Sequence, residues 1–394
     1  MPTPPAFPPG TLTLGEATSQ RNAWLELTLD ALDHNVATLR HALGPGIQLI
    51  AVVKANAYGH GVAGIAPALE AAGVDRFAVV WAGEAVGLRA FGVTRPVLML
   101  GHGFPGDAKD IIEHDITMTV HSRELGERLN WEAQRVGKIA KVHIKVDTGL
   151  HRFGLDVDEA VALADYLRTL PAIEVEGLTT HMANADEVDD SFAERQHAVF
   201  AEAARRLPWI PFRHTANSAT ALRRPGLRYQ GVRIGLALHG VLPPNTFPPA
   251  DGLRPVMSLK ARLARVSEVP AGEGVSYGLA WRANEVSRVG LIPVGYADGW
   301  RRAIGSRGSV LVRGVRCPIV GRIAMDQFMV DVTHIPAVVE GEEAVLLGAQ
   351  GGDSITVDEV ATWEDTISWE MLAAMQARIP RIFHRHGMVE RIVE

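Results

Sequence analysis

Short runs of β-branched and aliphatic residues alternate with longer helix-forming segments between residues 47 and 234. Eight such runs occur, at 47–53, 76–80, 96–100, 116–120, 141–146, 173–180, 211–215 and 228–234. Strands that alternate with helices in this way are typical of parallel sheets. Eight repeats predict the α/β class and a closed (β/α)8 barrel of the TIM type, with an open sheet and one miscounted strand as the alternative.

This rhythm ends at a proline-rich stretch, PPNTFPPADG, at 243–252. Beyond it, strand-like segments such as VMSLKARLARV and VSRVGLIPV are separated by turns that contain glycine, which predicts a mainly antiparallel β domain. We therefore expect a barrel domain over 24–245 and a β-rich C-terminal domain over 246–394, with 24–30 a candidate strand that joins the second domain. Several prolines before residue 10 disfavour helix and strand, so residues 1–23 are expected to form a flexible tail.

Composition and charge exclude several classes of protein. The formal charge of -6 and the pI near 6.2 argue against a nucleic-acid partner, because phosphate recognition needs clustered lysine and arginine. No segment reads as a membrane span or a secretory signal, so we expect no membrane association and a cytoplasmic location. The single cysteine, Cys317, lies in an apolar run, which disfavours a catalytic role, and no metal site is expected.

Candidate functional residues follow several of the predicted strands directly. Lys54, in AVVKANAYGHG, comes after the first strand, where barrel enzymes place their working groups. A lysine there can form a Schiff base with an aldehyde, and desolvation lowers its pKa toward that use. The candidates after later strands are Arg152, His181, Ser218, Arg233 and Gly235.

Each of these residues, taken singly, has a plainer interpretation. Lys54 could be a solvated surface lysine, His181 a buried core histidine and Ser218 a helix N-cap. Ser218 could also serve as both cap and phosphate ligand, together with the backbone N–H groups of Gly235 and Leu236. What favours a common site is that all these segments would open onto one face of the barrel.

The motifs that carry these residues resemble those of the alanine racemase family, in the same order along the chain. They cover about 24 to 383 and are AVVKANAYGHG, VDTGLHRFG, THMANAD, HTANSA, VRIGLALHG, VSYG, VGYADGW and VGRIAMDQ. The resemblance implies a homodimeric enzyme that uses pyridoxal 5′-phosphate (PLP) to interconvert L-alanine and D-alanine. It also implies that the D-alanine serves peptidoglycan synthesis.

The same resemblance implies two opposed catalytic bases. Lys54 would hold the cofactor through a Schiff base and act as one base. Tyr277, supplied by the C-terminal domain of the partner subunit, would be the other. Racemisation removes a proton from one face of the α-carbon and returns it on the opposite face, so two groups on opposite sides suit the reaction.

Further roles follow from the resemblance for residues around the cofactor and the substrate. The phosphate would be held by Tyr58, Ser218, Gly235 and Leu236. Around the rest of the cofactor, Arg233 would face the pyridine nitrogen, Arg152 the phenolic oxygen, and His181 would belong to the same network. Arg152 and Met325 would bind the substrate carboxylate, with Asp326 beside Met325, and Lys145 matches a lysine that can be carbamylated. The access corridor would contain Asp186, Tyr296, Arg302 and Arg322.

Two departures from the family pattern and three other functions stay open at this point. His239 stands where many relatives have tyrosine, and Ala377 stands where some have a tyrosine that contacts the phosphate, so one possible phosphate contact is absent. The alternative functions are a broad-specificity PLP racemase, a barrel-type PLP decarboxylase and a noncatalytic PLP-binding protein. Arg233 disfavours the decarboxylase, which normally has an acidic partner at the ring nitrogen, and a noncatalytic protein would not need Tyr277.

Overall fold

The described chain begins with a short helix instead of a flexible tail. The computed structural model describes residues 12–189, 191–246, 249 and 252–394. Helix α1 (Leu14–Thr18) starts with a capping box, in which Thr13 Oγ1 accepts from Glu16 N and the Glu16 carboxylate accepts from Thr13 N. Val389 N also donates to Leu12 O at 2.9 Å. These bonds explain why the residues from 12 onward are ordered, although a flexible tail was expected over 1–23. Residues 1–11 lie outside the described part of the chain.

Strand β1 (Ala23–Thr28) covers most of the candidate strand at 24–30. It pairs antiparallel with the strand at 257–262 and parallel with the strand at 381–385. Four of its six residues are buried, because the strand lies inside a sheet that both neighbours continue.

The eight predicted apolar runs all form parallel strands, and these strands make up a barrel. Their order around the sheet is β8-β7-β6-β5-β4-β3-β2-β9. Backbone hydrogen bonds from Gln230 N to Arg213 O (3.1 Å) and from Arg233 N to Ala216 O (2.9 Å) link the last two strands across the remaining seam. The predicted (β/α)8 barrel is therefore confirmed. The strands are β2 (Gln48–Val52), β3 (Arg76–Val79), β4 (Val97–Met99), β5 (Ile116–Val120), β6 (Ala140–Lys145), β7 (Ile173–Thr179), β8 (Phe212–His214) and β9 (Gly231–Ile234).

Helices connect these strands, and one of them shows the usual signals at both of its ends. The helix between β5 and β6 starts after Ser122, whose Oγ accepts from Leu125 N, and it ends at Gly137, where φ is 66°. The helices are α2 (Leu29–Leu43), α3 (Lys54–Tyr58), α4 (Val62–Ala71), α5 (Ala82–Ala90), α6 (Ala108–Glu113), α7 (Arg123–Val136), α8 (Val157–Leu167), α9 (Ser191–Arg206) and α10 (Ser218–Arg223).

The C-terminal part is built on an 11-stranded sheet that includes β1. Apart from the parallel pair of β1 and β20, its neighbouring strands run antiparallel, so the predicted antiparallel β architecture is confirmed. The strands are β10 (Met257–Arg262), β11 (Arg265–Val269), β12 (Gly274–Val275), β13 (Trp281–Arg282), β14 (Ser287–Ile292), β15 (Ser309–Val312), β16 (Val315–Val320), β17 (Phe328–Asp331), β18 (Glu343–Gln350), β19 (Asp353–Ile355), β20 (Arg381–Arg385) and β21 (Met388–Val393), with helices α11 (Val357–Glu364) and α12 (Ser368–Ala373). The β12–β13 hairpin forms a separate small sheet.

By internal contacts the chain separates into two compact units. The barrel unit contains Leu32–Ala57 and Ile65–Arg254. The second unit contains the described residues up to Ala31, Tyr58–Gly64 and Pro255–Glu394. No helix in the described part of the chain is both long and apolar enough to cross a membrane.

Candidate active site

Lys54 follows strand β2 and begins a turn whose backbone is left-handed. Ala55, Asn56 and Ala57 have φ values of 51°, 55° and 54°, with ψ values of 52°, 45° and 51°. These angles are those of a left-handed helix, which alanine adopts only at a steric cost. Ala57 N nevertheless closes the turn by donating to Val53 O at 3.0 Å. Such strain persists only where the surrounding structure holds it, and it is found most often at functional sites.

The Glu84 carboxylate holds the start of this turn. One of its oxygens accepts from Ala55 N at 2.7 Å, and the other accepts from Val80 N and Trp81 N at 2.9 and 3.1 Å. A single carboxylate therefore ties the end of β3 and the start of α5 to the residue after Lys54. Glu84 is not among the residues predicted from the sequence, although an acidic residue in the first turn of a helix is a recognisable cap signal.

The Lys54 amine lies in a partly buried position near the positive charge of Arg152. Among the described residues its Nζ forms no hydrogen bond and no salt bridge, and the side chain is only partly exposed. The pKa of Lys54 is lowered by burial first and by the charge of Arg152 second, while Glu84 opposes both effects. A lowered pKa increases the neutral fraction of the amine, which is the form that attacks a carbonyl and accepts a proton.

Arg233 lies inside the barrel at the centre of a dense network. Its Nη2 donates to His181 Nδ1 at 3.2 Å, and its Nη1 contacts His214 Nδ1 at 2.9 Å. Four further bonds run from Nη1 and Nη2 to backbone carbonyls and a hydroxyl, so within the described chain Nε–H is the donor without a partner. Burial lowers the pKa of Arg233 to about 10, which still leaves it charged at neutral pH.

His181 and Lys145 share this cationic environment. Burial and then the charge of Arg233 hold the pKa of His181 well below its usual value, so the ring is neutral at neutral pH. Lys145 Nζ donates to Phe153 O at 2.6 Å and lies 4.4 Å from the centre of the Phe153 ring. The pKa of Lys145 is lowered to about 8 by burial first and by Arg152 second.

A cradle of hydroxyl and backbone donors lies where α10 begins. Asn217 is the N-cap and accepts from Thr220 N at 2.9 Å, so Ser218 is the first helical residue and not the cap that sequence analysis considered. Gly235 N approaches Ser218 Oγ at 3.4 Å, and Leu236 begins the next short helical turn. Ser218 and Leu236 are both buried, so these groups point into the protein rather than into bulk solvent.

The second unit carries the other group of predicted residues on neighbouring loops. Tyr277 is 72% exposed and belongs to a strained turn in which Ser276 and Leu279 have φ values of 65° and 49°. Ser276 Oγ donates to Arg322 O at 2.7 Å, which joins this turn to the loop that leads to Met325. Tyr277, Leu279 and Met325 are therefore exposed apolar side chains on adjoining loops.

A salt-bridged arginine supports the same loops. Tyr296 N donates to Ala324 O at 3.2 Å, so the turn that carries Tyr296 lies against the Met325 loop. Arg378 contacts Asp298 at 2.6 Å and Asp326 at 2.7 Å, which ties this pair of loops together. Arg378 had not been singled out from the sequence, because a bridge between carboxylates 28 residues apart has no local signature.

The structure thus brings the predicted residues together in two groups. The barrel unit holds Lys54, Lys145, Arg152, His181, Ser218, Arg233, Gly235 and Leu236, and the second unit holds Tyr277, Tyr296, Arg322, Met325 and Asp326. Tyr58 ends the left-handed turn and is 8% exposed, whereas Arg302 is exposed. Asp186 is partly exposed and accepts from Asn245 Nδ2 only through its backbone carbonyl. Burial raises the pKa of Cys317 to about 12, so this thiol is protonated at neutral pH.

Comparisons with known proteins cover both parts of the chain. Residues 27–243 match the sequence model of the alanine racemase N-terminal domain, and residues 256–383 match that of the alanine racemase C-terminal domain. The chain is 39% identical to the alanine racemase of Desulfovibrio desulfuricans over 92% of this chain and 98% of that protein.

Solved structures agree with this match. The structure of alanine racemase from Bacillus anthracis with bound L-Ala-P superposes with a TM-score of 0.89 at 36% identity, covering 95% of this chain and 98% of the other. Alanine racemase from Clostridium difficile gives a TM-score of 0.89 at 34% identity, covering 94% of this chain and 98% of the other.

Proposed function

Because the chain belongs to the alanine racemase family, we propose that it interconverts L-alanine and D-alanine with pyridoxal 5′-phosphate as its cofactor. The observation that carries this proposal is the Lys54 amine, which is partly buried, has no ion pair with any described residue, and lies in the same barrel unit as Arg152, His181 and Arg233. In this proposal the product D-alanine serves peptidoglycan synthesis. The expected cytoplasmic location stays a prediction.

The donors of the barrel unit fit the proposed cofactor. Lys54 offers an amine for the aldehyde, and Ser218 Oγ with the backbone of Gly235 and Leu236 offers neutral donors for the phosphate. Arg233 offers its remaining Nε–H to the ring nitrogen. Tyr58, which belongs to the second unit and ends the turn after Lys54, is the further proposed phosphate ligand. When bound, the cofactor withdraws electrons from the α-carbon of the amino acid and so makes its hydrogen more acidic.

Arg233 determines how strongly this electron withdrawal acts. A guanidinium that stays charged at neutral pH donates to the ring nitrogen but does not share its proton. The positive charge beside the nitrogen also disfavours its protonation. We infer that electron withdrawal is moderate, which favours return of the proton to the α-carbon over side reactions such as transamination.

Lys54 and Tyr277 perform the proton transfers in this proposal. The lowered pKa of Lys54 supports its role as a base, because more of the amine is neutral near pH 7. Tyr277 would act on the opposite face of the α-carbon. Arg152 and the backbone N–H of Met325 would hold the substrate carboxylate, and a fixed carboxylate keeps the α-carbon between the two bases.

The exposed loops of the second unit support a homodimer with shared active sites. Tyr277, Leu279 and Met325 form an exposed apolar group whose turn is held in a strained conformation. Exposed apolar side chains on adjoining loops are typical of interaction sites. We propose that a second copy of the chain covers them and that each barrel receives Tyr277 and Met325 of the partner subunit.

Lys145 takes a supporting role in the proposal. A pKa of about 8 leaves about a tenth of this amine neutral at pH 7, and a neutral amine can react with carbon dioxide. The resulting carbamate would replace a positive charge near Arg152 with a negative one. Carbamylation of Lys145 is therefore part of the proposed function.

Replacing Lys54 tests the proposal directly. We expect Lys54→Ala to lose covalent attachment of the cofactor, detected by mass spectrometry after borohydride reduction, and to form no D-alanine from L-alanine. Parallel assays of wild-type protein with other amino acids and for carbon dioxide release separate a broad-specificity racemase and a decarboxylase from the proposed enzyme. Normal turnover by a purified Lys54→Ala protein would exclude the assignment.

A further inference from the structure

A continuous row of polar side chains crosses the interior of the barrel and ends at Arg233. Arg76 Nη2 contacts Glu176 Oε1 at 2.7 Å, and Glu176 Oε2 lies 3.4 Å from His143 Nε2. His143 Nδ1 and His214 Nε2 are 2.9 Å apart, and His214 Nδ1 is 2.9 Å from Arg233 Nη1. We call these five residues the buried relay. Both histidines are fully buried, and Arg233 is 4% exposed.

A β-bulge in strand β7 supplies the carboxylate of the relay. The register between β6 and β7 shifts at His143, so that Val142 faces Val175 while His143 faces Gly177, and Glu176 is the extra residue. A Cβ on Gly177 would lie 2.5 Å from the His143 ring, so this imidazole fits only over glycine. The bulge and the glycine together let the Glu176 side chain reach the barrel interior next to His143.

The charges of the relay are fixed by its surroundings. Burial tends to raise the pKa of Glu176, but contacts with His143 and Arg76 lower it to about 2, so the carboxylate accepts hydrogen bonds and never donates. Burial lowers the pKa of His143, and burial together with Arg233 holds the pKa of His214 well below its usual value. Both rings are therefore neutral at neutral pH, and each carries one N–H.

The direction of each hydrogen bond then follows from Arg233, which can only donate. His214 Nδ1 accepts from Arg233, so its proton lies on Nε2 and is donated to His143 Nδ1. His143 must in turn carry its proton on Nε2, which faces Glu176. At 3.4 Å this last contact is longer than a well-formed hydrogen bond, yet neither atom has another hydrogen-bond partner in the described part of the chain.

We propose that Glu176 is a positioning residue for Arg233: as the acceptor at the far end of the buried relay, its carboxylate stabilises the same hydrogen-bond direction that Arg233 requires and so keeps an acceptor in front of the guanidinium. Arg76 holds the carboxylate but does not determine the direction. The inference rests on the proposed function only where it assigns Arg233 to the cofactor ring, since the direction of the relay is a property of the chain alone.

Glu176→Gln tests this assignment because glutamine has only one acceptor oxygen. Arg76 can only donate, so it takes that oxygen and turns the amide NH2 toward His143. His143 Nε2 must then accept, its proton moves to Nδ1, and His214 is forced to carry its proton on Nδ1 as well. His214 Nδ1 lies 2.9 Å from Arg233 Nη1, so two donors then face each other, and Thr179 Oγ1, 3.2 Å from Nδ1, is the acceptor toward which the proton can turn.

A second substitution should restore the original direction. In Glu176→Gln/Arg76→Met the amide is free to turn its oxygen toward His143, which can again donate from Nε2. If Glu176 had only a structural role, the double variant would be impaired more than Glu176→Gln alone. Arg76→Met alone is the matched control, since it removes the same contacts of Arg76 with Gln48 and Phe212 but keeps the carboxylate.

The protonated ring nitrogen of each histidine is identified by 15N NMR of histidine-labelled, full-length protein without substrate. Signals of His143 and His214 are assigned from proteins in which each is replaced by phenylalanine. We expect Nε2–H on both rings in wild type, in Arg76→Met and in the double variant, and Nδ1–H in Glu176→Gln. Nδ1–H on either ring of the wild-type protein, or Nε2–H on both rings in a folded Glu176→Gln, would overturn the proposal. If Glu176→Gln fails to fold, the protonated nitrogens of the wild-type protein alone decide between support and rejection.

Kinetics of the PLP-loaded enzyme complete the test. We expect kcat for alanine racemisation to fall about tenfold in Glu176→Gln, as for the loss of one buried hydrogen bond, with KM little changed and kcat largely recovered in the double variant. Inverted protonation with unchanged kcat would overturn the role toward Arg233. Absence of racemisation in wild type would instead count against the proposed function and leave the NMR result standing.

Discussion

Glu84 acts on Lys54 in two ways, through its hydrogen bonds and through its charge, and two substitutions can compare them. Its carboxylate accepts three backbone N–H groups, and its charge opposes the lowering of the Lys54 pKa by burial and Arg152. Glutamine loses the charge and keeps one of the two acceptor oxygens, whereas alanine loses the charge and both acceptors. The difference between the two variants therefore reports how much of the effect comes from the backbone contacts of the turn.

We expect Glu84→Gln to lower the pKa of the Lys54 amine below its wild-type value. The sign follows because a negative neighbour stabilises the ammonium form and its removal favours the neutral amine. The measurement is the pH dependence of Lys54 acetylation in cofactor-free protein by mass spectrometry, with the exposed Lys141 as internal reference. A reactivity curve displaced to higher pH would show that Glu84 does not stabilise the ammonium.

Tyr277 gives a second test at the scale of one residue, which concerns the direction of catalysis. If Lys54 serves D-alanine and Tyr277 serves L-alanine, Tyr277→Ala keeps only the lysine face. We expect this variant to exchange the α-hydrogen of D-alanine with deuterated solvent far faster than that of L-alanine, as followed by NMR. The wild-type protein, which should exchange both, is the control. Equal exchange of the two enantiomers by Tyr277→Ala would mean that one base serves both faces.

The strands and helices differ in how well the sequence predicts them. The eight barrel strands were predicted because most of them are short, buried runs of β-branched and aliphatic residues, which leaves a strong local signal. Helix α1 was missed although Thr13 and Glu16 match a capping box, because the prolines before residue 10 dominated the interpretation of the segment.

The left-handed turn after β2 could not be predicted from its residues. Two of its residues are alanine, which favours the right-handed helix, so local preference points to the opposite hand. The buried relay was equally invisible, since Arg76, Glu176 and His143 come from three different strands. Lys54 and Arg233 were still identified, because each belongs to a motif that is continuous in sequence.

At the scale of the element, the strain of this turn predicts an unusual response to glycine. Ala55 is exposed and has a φ of 51°, so Ala55→Gly relieves a steric cost of roughly 1 kcal/mol that offsets the entropy cost of glycine. We expect the free energy of unfolding to change by less than about 0.5 kcal/mol or to rise. The matched control is the exposed Ala198 in helix α9, where Ala198→Gly should lower it by about 1 kcal/mol.

Urea denaturation of the two variants measures both changes. An equal loss of stability at positions 55 and 198 would mean that the left-handed turn carries no steric cost. A larger loss at position 55 would point to a contact of the methyl group that outweighs the strain.

The arrangement of the whole molecule is tested by mixing subunits. Lys54→Ala and Tyr277→Phe should each be inactive alone, but a mixed dimer contains one site with both intact bases if Tyr277 acts on the barrel of the other copy. Random exchange at equal amounts makes half of the dimers mixed, so about a quarter of wild-type activity should appear. Native mass spectrometry shows whether exchange has occurred, and Lys54→Ala mixed with itself is the control.

Mixed dimers without activity would contradict sharing of sites between copies. The two groups of predicted residues would then have to act within one chain. Retained activity in either single variant would instead mean that the replaced residue is not an essential base.

The left-handed backbone of the turn at Ala55 to Ala57 suits D-amino acids better than L-amino acids. The angles found there, near +54° and +51°, are the mirror image of those of an ordinary helix, and a D-amino acid adopts them without steric cost. A chain assembled by chemical ligation with D-alanine at positions 55 and 57 should therefore unfold at a higher temperature than the natural chain. A higher unfolding temperature would show that the turn after Lys54 has the backbone angles that D-amino acids prefer. The stability of the surrounding barrel then keeps L-amino acids in this left-handed conformation.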